Sequence, residues 1–578
     1  MFSLDHALAL LATISQVAAF HRVPHVRGGK YTPAKRYSGP VSDYVYNQTR
    51  ADAVKQTFQI SWDGYYKYAF PGDSLLPVTN TFENDRNGWG ASAIDALSTA
   101  LIHGNEEVVN QILDFVPSID FSVSFNGTEV SLFETTIRYL GGLLSAYDLL
   151  TGPLSNLASD SSKVEPLLEQ ARNLGNNLSF AFDTPTGIPD NTLYLNPPRI
   201  ANSSTNGLAT IGTLVMEWTR LSDLTGDETY SNLAKKGESY LINPLNPEVG
   251  EPYPGLLGND VSISNGSFVD SRGGWTGGTD SYYEYLIKMY LYDPTRFAAY
   301  KDSWVNAVDS SITYLASHPT SRPDLTFLSY YYNGTKEGLI YFSEHLACFD
   351  GGNFILGGLT LDQPSYIDFG LELVEGCRDT YKQTVTHIGP ETFRWLGENS
   401  APNATVPAGD EAFYKRAGFW IDSAPYILRP EVIESYYYAY RATGDPKYQE
   451  WAWEAYLAIN ETCKVGSGYS SINDVNAEGG GGFQNFQESF WFAEVLKYSY
   501  LIQAEVSPYP FPFLILSTNY FTQMHAIHPT IGRRLQMSSR CVSRADAPYQ
   551  VKADHTNEFV FNTEAHPVRI PGGESSSK

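Results

Sequence analysis

The tightest constraint on this chain's fold is a helical rhythm that keeps stopping in the same way. "ETTIRYLGGLLSAYDLLTG", "TLVMEWTRLSDLTGD", "DSYYEYLIKMYLYDP", "EVIESYYYAYRATGD" and "ESFWFAEVLKYSYLIQAE" each set large apolar residues three and four apart, the period of one helix face. Several of these runs end at Thr-Gly or Tyr-Asp, pass an acidic or Pro turn, and meet an aromatic that opens the next helix: "LTGDETY" from Leu224, "LYDPTRF" from Leu291, "ATGDPKY" from Ala442. Gly stops a helix because it takes the left-handed conformation without a Cβ clash, and Asp or Pro starts the next one. The first two turns lie about 70 residues apart and the third about twice as far on, which gives room for two helices and a loop per unit and about seven units in the chain. A single pair cannot bury its apolar face, so pairs stack, as an open solenoid or a closed ring. The Gly-rich runs "GGWTGG" and "EGGGGFQ" suit loops at one mouth of a ring, where sites gather.

Two segments break the rhythm. "NEFVFNTEAHPVRI", Asn557 to Ile570, is an apolar, strand-like run near the end of the chain that carries Thr563, Glu564 and His566. Val506 to Arg544 holds Cys541 but no Asp or Glu, and a loop that long without periodicity is uncommon in a compact domain.

The net charge of -25 disfavours nucleic acid or an anionic membrane as partner, since both attract Lys and Arg; a neutral substrate such as sugar is compatible with it. The apolar stretch Ala7 to Phe20 is too short to span a bilayer comfortably and suits a signal peptide over residues 1–19. The segment before it has Asp5 and His6 and no Lys or Arg, so a short uncleaved anchor is the alternative. No other stretch resembles a membrane span. Sequons at Asn47, Asn126, Asn177, Asn202, Asn265, Asn333, Asn403 and Asn460 independently favour a glycoprotein of the secretory pathway. In an oxidising compartment Cys348, Cys377, Cys463 and Cys541 would form at least one bridge, with three complete pairings open.

Carboxylates recur beside aromatics at helix starts: Glu134 in "FETTIR", Asp280 in "TDSYYEY", Glu431 and Glu434 in "RPEVIES", Glu494 in "ESFWFAE", Glu564 in "NTEAHP". Each alone reads equally well as a helix cap or an exposed polar face; Asp280 is a natural N-cap, and Glu431 after Pro430 is first-turn chemistry. Six acids facing one cavity would repel one another unless a cation or ordered water held them.

"FETTIRYLGGLLSAYDL", "DSYYEYLIK", "LRPEVIES", "ESFWFAEVLKY" and "FNTEAHP" together resemble glycoside hydrolase family 47, the class I α-1,2-mannosidases that trim high-mannose N-glycans. The likeness runs from about Tyr44 to Ile570, and "DRNGWGASAIDALSTA" and "SGYSSINDV" resemble its filamentous-fungal branch. The resemblance implies an all-α fold, an (α/α)7 barrel over residues 44–570 closed at one end by a C-terminal β-hairpin, with an extension at 20–43 and a disordered tail at 571–578. It implies inverting hydrolysis with Ca²⁺. By motif position Glu134 and Asp280 are the acid-side candidates and Glu431 is the base, since inversion needs one acid on the leaving oxygen and one base on a water across the ring. Arg138 and Arg429 would steady carboxylates or sugar hydroxyls, Phe490 would face the pyranose, and Glu434, Glu494 and Glu564 would belong to the ring around metal and sugar; His345 matches a family active-site position, although a lone His near a Cys more often reads as structural. Thr563 would bind Ca²⁺ through its hydroxyl and carbonyl, with water and sugar hydroxyls completing the shell. The family disulfide would fall on Cys348 and Cys377, leaving Cys463 a buried thiol.

Three departures matter. Ser98 stands where many members have an acid, which puts the local hydrogen bonding in doubt. Gly278 stands where single-mannose trimmers carry Arg, which implies broad trimming toward a five-mannose glycan. The 506–544 insert replaces a short family link and reads as a retained intron; a real lineage-specific loop is the alternative. The expected protein is a monomer acting on high-mannose N-glycans, secreted or held in the Golgi or vacuole lumen. A mannose-recognising quality-control factor of the same fold is the competing reading; a helical-repeat scaffold is a third.

Overall fold

The computed structural model describes residues 37–41, 44–505, 547–552 and 556–572, all within the unit formed by residues 33–578. The signal-peptide segment, the insert at 506–544 and all but two residues of the 571–578 tail lie outside the described residues.

Two kinds of helix alternate along the chain. Ala91–His103 is buried at every position, and Asp350–Thr360 and Glu431–Thr443 are buried at nearly every one. A helix apolar all round has to be enclosed by others. Glu106–Phe115, which follows the first of these, buries only Val108, Val109, Ile112 and Leu113, the single stripe of a helix with one face to solvent. The enclosed set comprises Ala91–His103, Gly141–Leu150, Val215–Thr225, Asp280–Tyr292, Asp350–Thr360, Glu431–Thr443 and Leu496–Leu501, and each packs on the next. The ring closes where Trp491–Val495, the turn before the last, packs on Ala91–His103; Thr99 Oγ1 donates to the Phe492 carbonyl there at 2.8 Å. Gln48–Tyr68, Glu106–Phe115, Glu165–Leu178, Thr229–Ile242, Ala298–Ser310, Pro364–Gln383 and Pro446–Thr462 pack on the outside of that ring. Seven inner and seven outer helices make the (α/α)7 barrel expected from the repeat. None of the described helices is long and apolar enough to cross a membrane.

The punctuation follows the sequence rule. Gly226 and Gly444 end their helices at φ 73° and 64°, and Asp445 then caps the next helix by accepting from Lys447 N at 3.0 Å, with Pro446 in the first turn. Most links from inner to outer helices are short turns of this kind, the longer stretch 151–164 being the exception. Links from outer to inner helices are long, as at 243–279, 316–349 and 384–430, and carry small antiparallel sheets, including one of Phe342–Glu344, Thr392–Arg394 and Trp420–Ser423. The N-terminal ends of the inner helices therefore all face the long-loop mouth.

The opposite end is filled by the C-terminal hairpin, Phe559–Phe561 paired with Pro567–Arg569. Arg569 N donates to Asp148 Oδ2 at 2.9 Å near the C-terminal end of Gly141–Leu150, while the turn residue Glu564 contacts Arg138 before that helix begins. The hairpin thus threads up the bore. A Cβ on Gly141 would stand 2.5 Å from Asn562 Nδ2, so only glycine lets the turn pass. Asp148 also takes both arms of buried Arg220, Nε at 3.0 Å and Nη2 at 2.5 Å, tying two inner helices and the hairpin at one carboxylate. Removing one partner from so enclosed a pair costs about 3–5 kcal/mol.

Cys348 and Cys377 form the expected disulfide, Cα atoms 5.9 Å apart, and Cys463 is a free buried thiol. The bridge ties the turn Leu346–Phe349 to the outer helix Pro364–Gln383.

Candidate active site

Between the mouth and the hairpin turn lies a cavity of about 490 Å³ lined by Glu134, Arg138, Asp280, Glu431, Glu434, Phe490, Glu494, Thr563 and Glu564. Helix starts place most of these acids. Asp280 and Glu431 are the first residues of their inner helices, and Glu134 sits in the first turn of Leu132–Thr135. The register of Asp280 differs from a cap: Thr279 holds the cap position, and among the described residues Asp280 Oδ1 accepts from Ser281 alone, N at 2.8 Å and Oγ at 3.4 Å. The backbone before Glu431 is strained, with Leu428 at φ 66° and fully buried; such outliers collect at functional sites.

The cavity's charges sort by partner. Arg138 gathers three carboxylates: Glu134 Oε2 at 2.8 Å, Asp95 Oδ2 at 3.5 Å, and Glu564 in close contact. Burial raises the Glu134 carboxyl, but Arg138 and then Arg86 outweigh it and hold it below the ordinary range. Glu431 is held down in the same sense: burial opposes ionisation, and the 2.7 Å bond from His345 with the Arg429 charge overcomes it. His345 meets Glu431 through Nδ1, and its Nε2 lies 2.7 Å from Tyr381 OH. Arg429 is braced by Glu391, Nε to each oxygen at 2.9 Å, with Nη1 3.8 Å from Glu431.

Asp280 has no such partner. Among the described residues no Lys or Arg pairs with it, and burial, with the nearby Glu344 and Glu284 charges, pushes it up to about 8. Burial and Glu284 likewise push Glu434 to about 8, and burial with Glu564 lifts Glu494 well above its ordinary value. Glu564 is raised too, because its burial outweighs the contact with Arg138. Phe490 lies beneath the Arg138 guanidinium, 5.6 Å from the ring centre.

Thr563 donates its backbone N–H to Tyr285 OH at 3.2 Å, while its hydroxyl and its carbonyl make no hydrogen bond to any described residue. Two unbonded oxygens of one residue facing eight cavity carboxyls, against three arginines, are the donor set a hard divalent cation takes. Among the described residues no cluster of three His, Cys, Asp or Glu side chains is arranged to hold a metal, so such an ion would keep water or sugar oxygens for the rest of its shell.

All the acids singled out in the sequence line one cavity, as do Arg138, Arg429, Phe490 and Thr563; His345 reaches it through Glu431. Ser98, which put local bonding in doubt, is well connected: it accepts from Lys497 Nζ at 2.9 Å and meets His566 Nδ1 at 2.9 Å, while His566 Nε2 reaches Asp95 at 3.2 Å. The sequence reading missed Arg86, Glu284 and Glu488, which also line the cavity, and Glu217, which lies behind it. Glu284 was within reach: Asp280, Glu284 and Lys288 fall four apart in "DSYYEYLIK", and Lys288 pairs with Glu284. Nothing local in "TLVMEWTRL" sets Glu217 apart from a surface acid.

The Aspergillus niger protein called probable mannosyl-oligosaccharide alpha-1,2-mannosidase 1B is 51% identical over 568 residues, 98% of this chain and 99% of its own. The Aspergillus clavatus protein of the same description is 53% identical over 522 residues, 90% and 93% of the two chains. The solved structure of alpha-1,2-mannosidase from Trichoderma reesei superposes with a TM-score of 0.82 at 51% identity, covering 91% of this chain and 99% of that one. The profile of glycosyl hydrolase family 47 matches residues 57–522. The protein belongs to glycosyl hydrolase family 47.

Proposed function

We propose that this enzyme is a calcium-dependent, inverting exo-α-1,2-mannosidase that removes terminal α-1,2-linked mannose from high-mannose N-glycans. The observation that carries the reading is two carboxyls of opposite protonation opening on one cavity, Asp280 pushed up to about 8 and Glu431 held ionised. Inversion needs that pair: an acid that still holds its proton to give the leaving oxygen, and a base ready to take one from water. Asp280 is the proton donor in this reading, and Glu431, fixed by His345, draws the proton from the attacking water. Glu134, kept charged by Arg138 and Arg86, faces the positive charge that grows on the sugar ring as the bond breaks. Phe490 gives the pyranose an apolar face. Thr563 would hold the calcium ion, which when bound would bind sugar hydroxyls and balance the cavity's negative charge.

Gly278, at φ 91° just before Asp280, lines the cavity without a side chain, and on that ground we infer trimming to the five-mannose product. Exposed sequons at Asn126, Asn202, Asn265, Asn333 and Asn403 all fall on long-loop links and support passage through the secretory pathway, where such substrates occur. The proposed form is a monomer.

The test is a nine-mannose glycan incubated with the protein, with and without chelator, following released mannose and its anomeric form. Release of β-mannose that stops with chelator is expected. Binding without release would favour a mannose-recognising factor, and release that stalls after one mannose would end the broad-trimming reading.

A further inference from the structure

We infer that Glu217 is a positioning residue for the cation site at the hairpin turn, setting Thr563 through Asn562 and Tyr285. The inference rests on the calcium reading above and concerns a residue that touches neither cation nor sugar. Glu217 is fully buried in the inner helix Val215–Thr225. One of its oxygens, Oε1, takes two donors, Tyr285 OH at 2.7 Å and Asn562 Nδ2 at 2.8 Å. Both donors lead to the turn. The Tyr285 hydroxyl accepts the Thr563 N–H at 3.2 Å. Asn562 also donates to the Ile137 carbonyl at 2.9 Å, and its Oδ1 accepts from Glu564 N at 3.0 Å and His566 N at 2.8 Å. A single carboxyl oxygen therefore fixes the residues on which the orientation of Thr563 depends.

The other oxygen, Glu217 Oε2, is buried and has no hydrogen-bond partner among the described residues. A half-satisfied buried carboxyl is a poor device for stability, since a hydrophobic side chain of that size serves the core as well or better. It makes sense as a device for orientation. Ala565, in the left-handed region at φ 55°, shows that the turn is bent against its preference, and a bent turn needs outside bonds to hold one geometry.

The experiment strips the protein with chelator and titrates Ca²⁺ by calorimetry, with the chelated protein's melting temperature as a check on folding. Glu217→Leu should weaken Ca²⁺ binding by about 10–100-fold, the usual cost of losing a group that orients a ligand. Glu217→Gln keeps an oxygen at Oε1 and should stay within a few-fold of the unaltered protein. Tyr285→Phe removes the hydroxyl that joins Glu217 to the Thr563 N–H, leaves the Asn562 link in place, and should fall between; it decides the matter should Glu217→Leu fail to fold. Ca²⁺ binding unchanged in folded Glu217→Leu, or in Tyr285→Phe in that case, overturns the proposal while leaving the calcium reading intact. No Ca²⁺ binding by the unaltered protein overturns both.

Discussion

Glu134 and Asp280 reach one cavity from neighbouring parts of the ring, yet they stand on walls with different chemistry. Behind Glu134 stands Arg138, which gathers three acids and keeps them company in the depth of the barrel. Behind Asp280 stand only acids, Glu284 and Glu344, and Lys288 on that helix is taken by Glu284. The same residue class thus arrives charged on one wall and protonated on the other. Burial raises both carboxyls, and the charges around them part them: Arg138 and Arg86 beside Glu134, Glu344 and Glu284 beside Asp280.

Neutralising each wall in turn should give the largest effects. Asp280→Asn should lower kcat/KM on an α-1,2-linked mannobiose by about 10²–10⁴-fold, the range for losing a general acid. The pH profile adds the sign. Asp280 donates only while protonated, so activity should fall as pH rises through about 8; Glu431 accepts only while ionised, so activity should also fall as pH drops through its depressed value. Glu134→Gln should slow the enzyme and keep the alkaline limb. If Glu134→Gln abolishes that limb and Asp280→Asn keeps it, the two walls have been assigned the wrong way round.

A smaller effect sharpens the arginine wall itself. Arg138→Met leaves Asp95, Glu134 and Glu564 without their shared cation, and urea unfolding should show a loss of about 3–5 kcal/mol. The smallest effect lies below, at Lys497. Its ammonium is fully buried, burial lowers it to about 7, and it donates to the Ala565 carbonyl and Ser98. A lysine whose folded value is depressed favours the folded state at high pH and loses that advantage as pH falls from about 10.4 toward 7. Ser98→Asp supplies a countercharge, so stability should decline less over that interval, by about 1 kcal/mol or less given what buried pairs return.

Much of the architecture was legible because it is periodic. The apolar spacing and the Gly stops, such as Gly226 and Gly444, mark the helix pairs, and the count of pairs settles between solenoid and ring once Trp491–Val495 meets Ala91–His103. The cavity acids were legible because they share a local signature, a carboxylate opening an aromatic-rich helix. What escaped was whatever depends on distant partners. Glu217 has meaning only against Asn562, 345 positions away, and although the family resemblance picked out Arg138, its contact with Glu564 spans 426 positions and is invisible locally. The protonation of Asp280 is hidden for the same reason, since it is set by which charges the fold fails to bring near.

The hairpin that supplies the cavity floor has a consequence for timing. Residues 562–566 leave the ribosome after every helix of the ring has already been made, so the fourteen helices must find one another around an empty bore, with Arg138, Lys497 and Glu217 awaiting partners still to be synthesised. Until that insertion the wall of acids lacks Thr563 and Glu564, and the cavity has no floor.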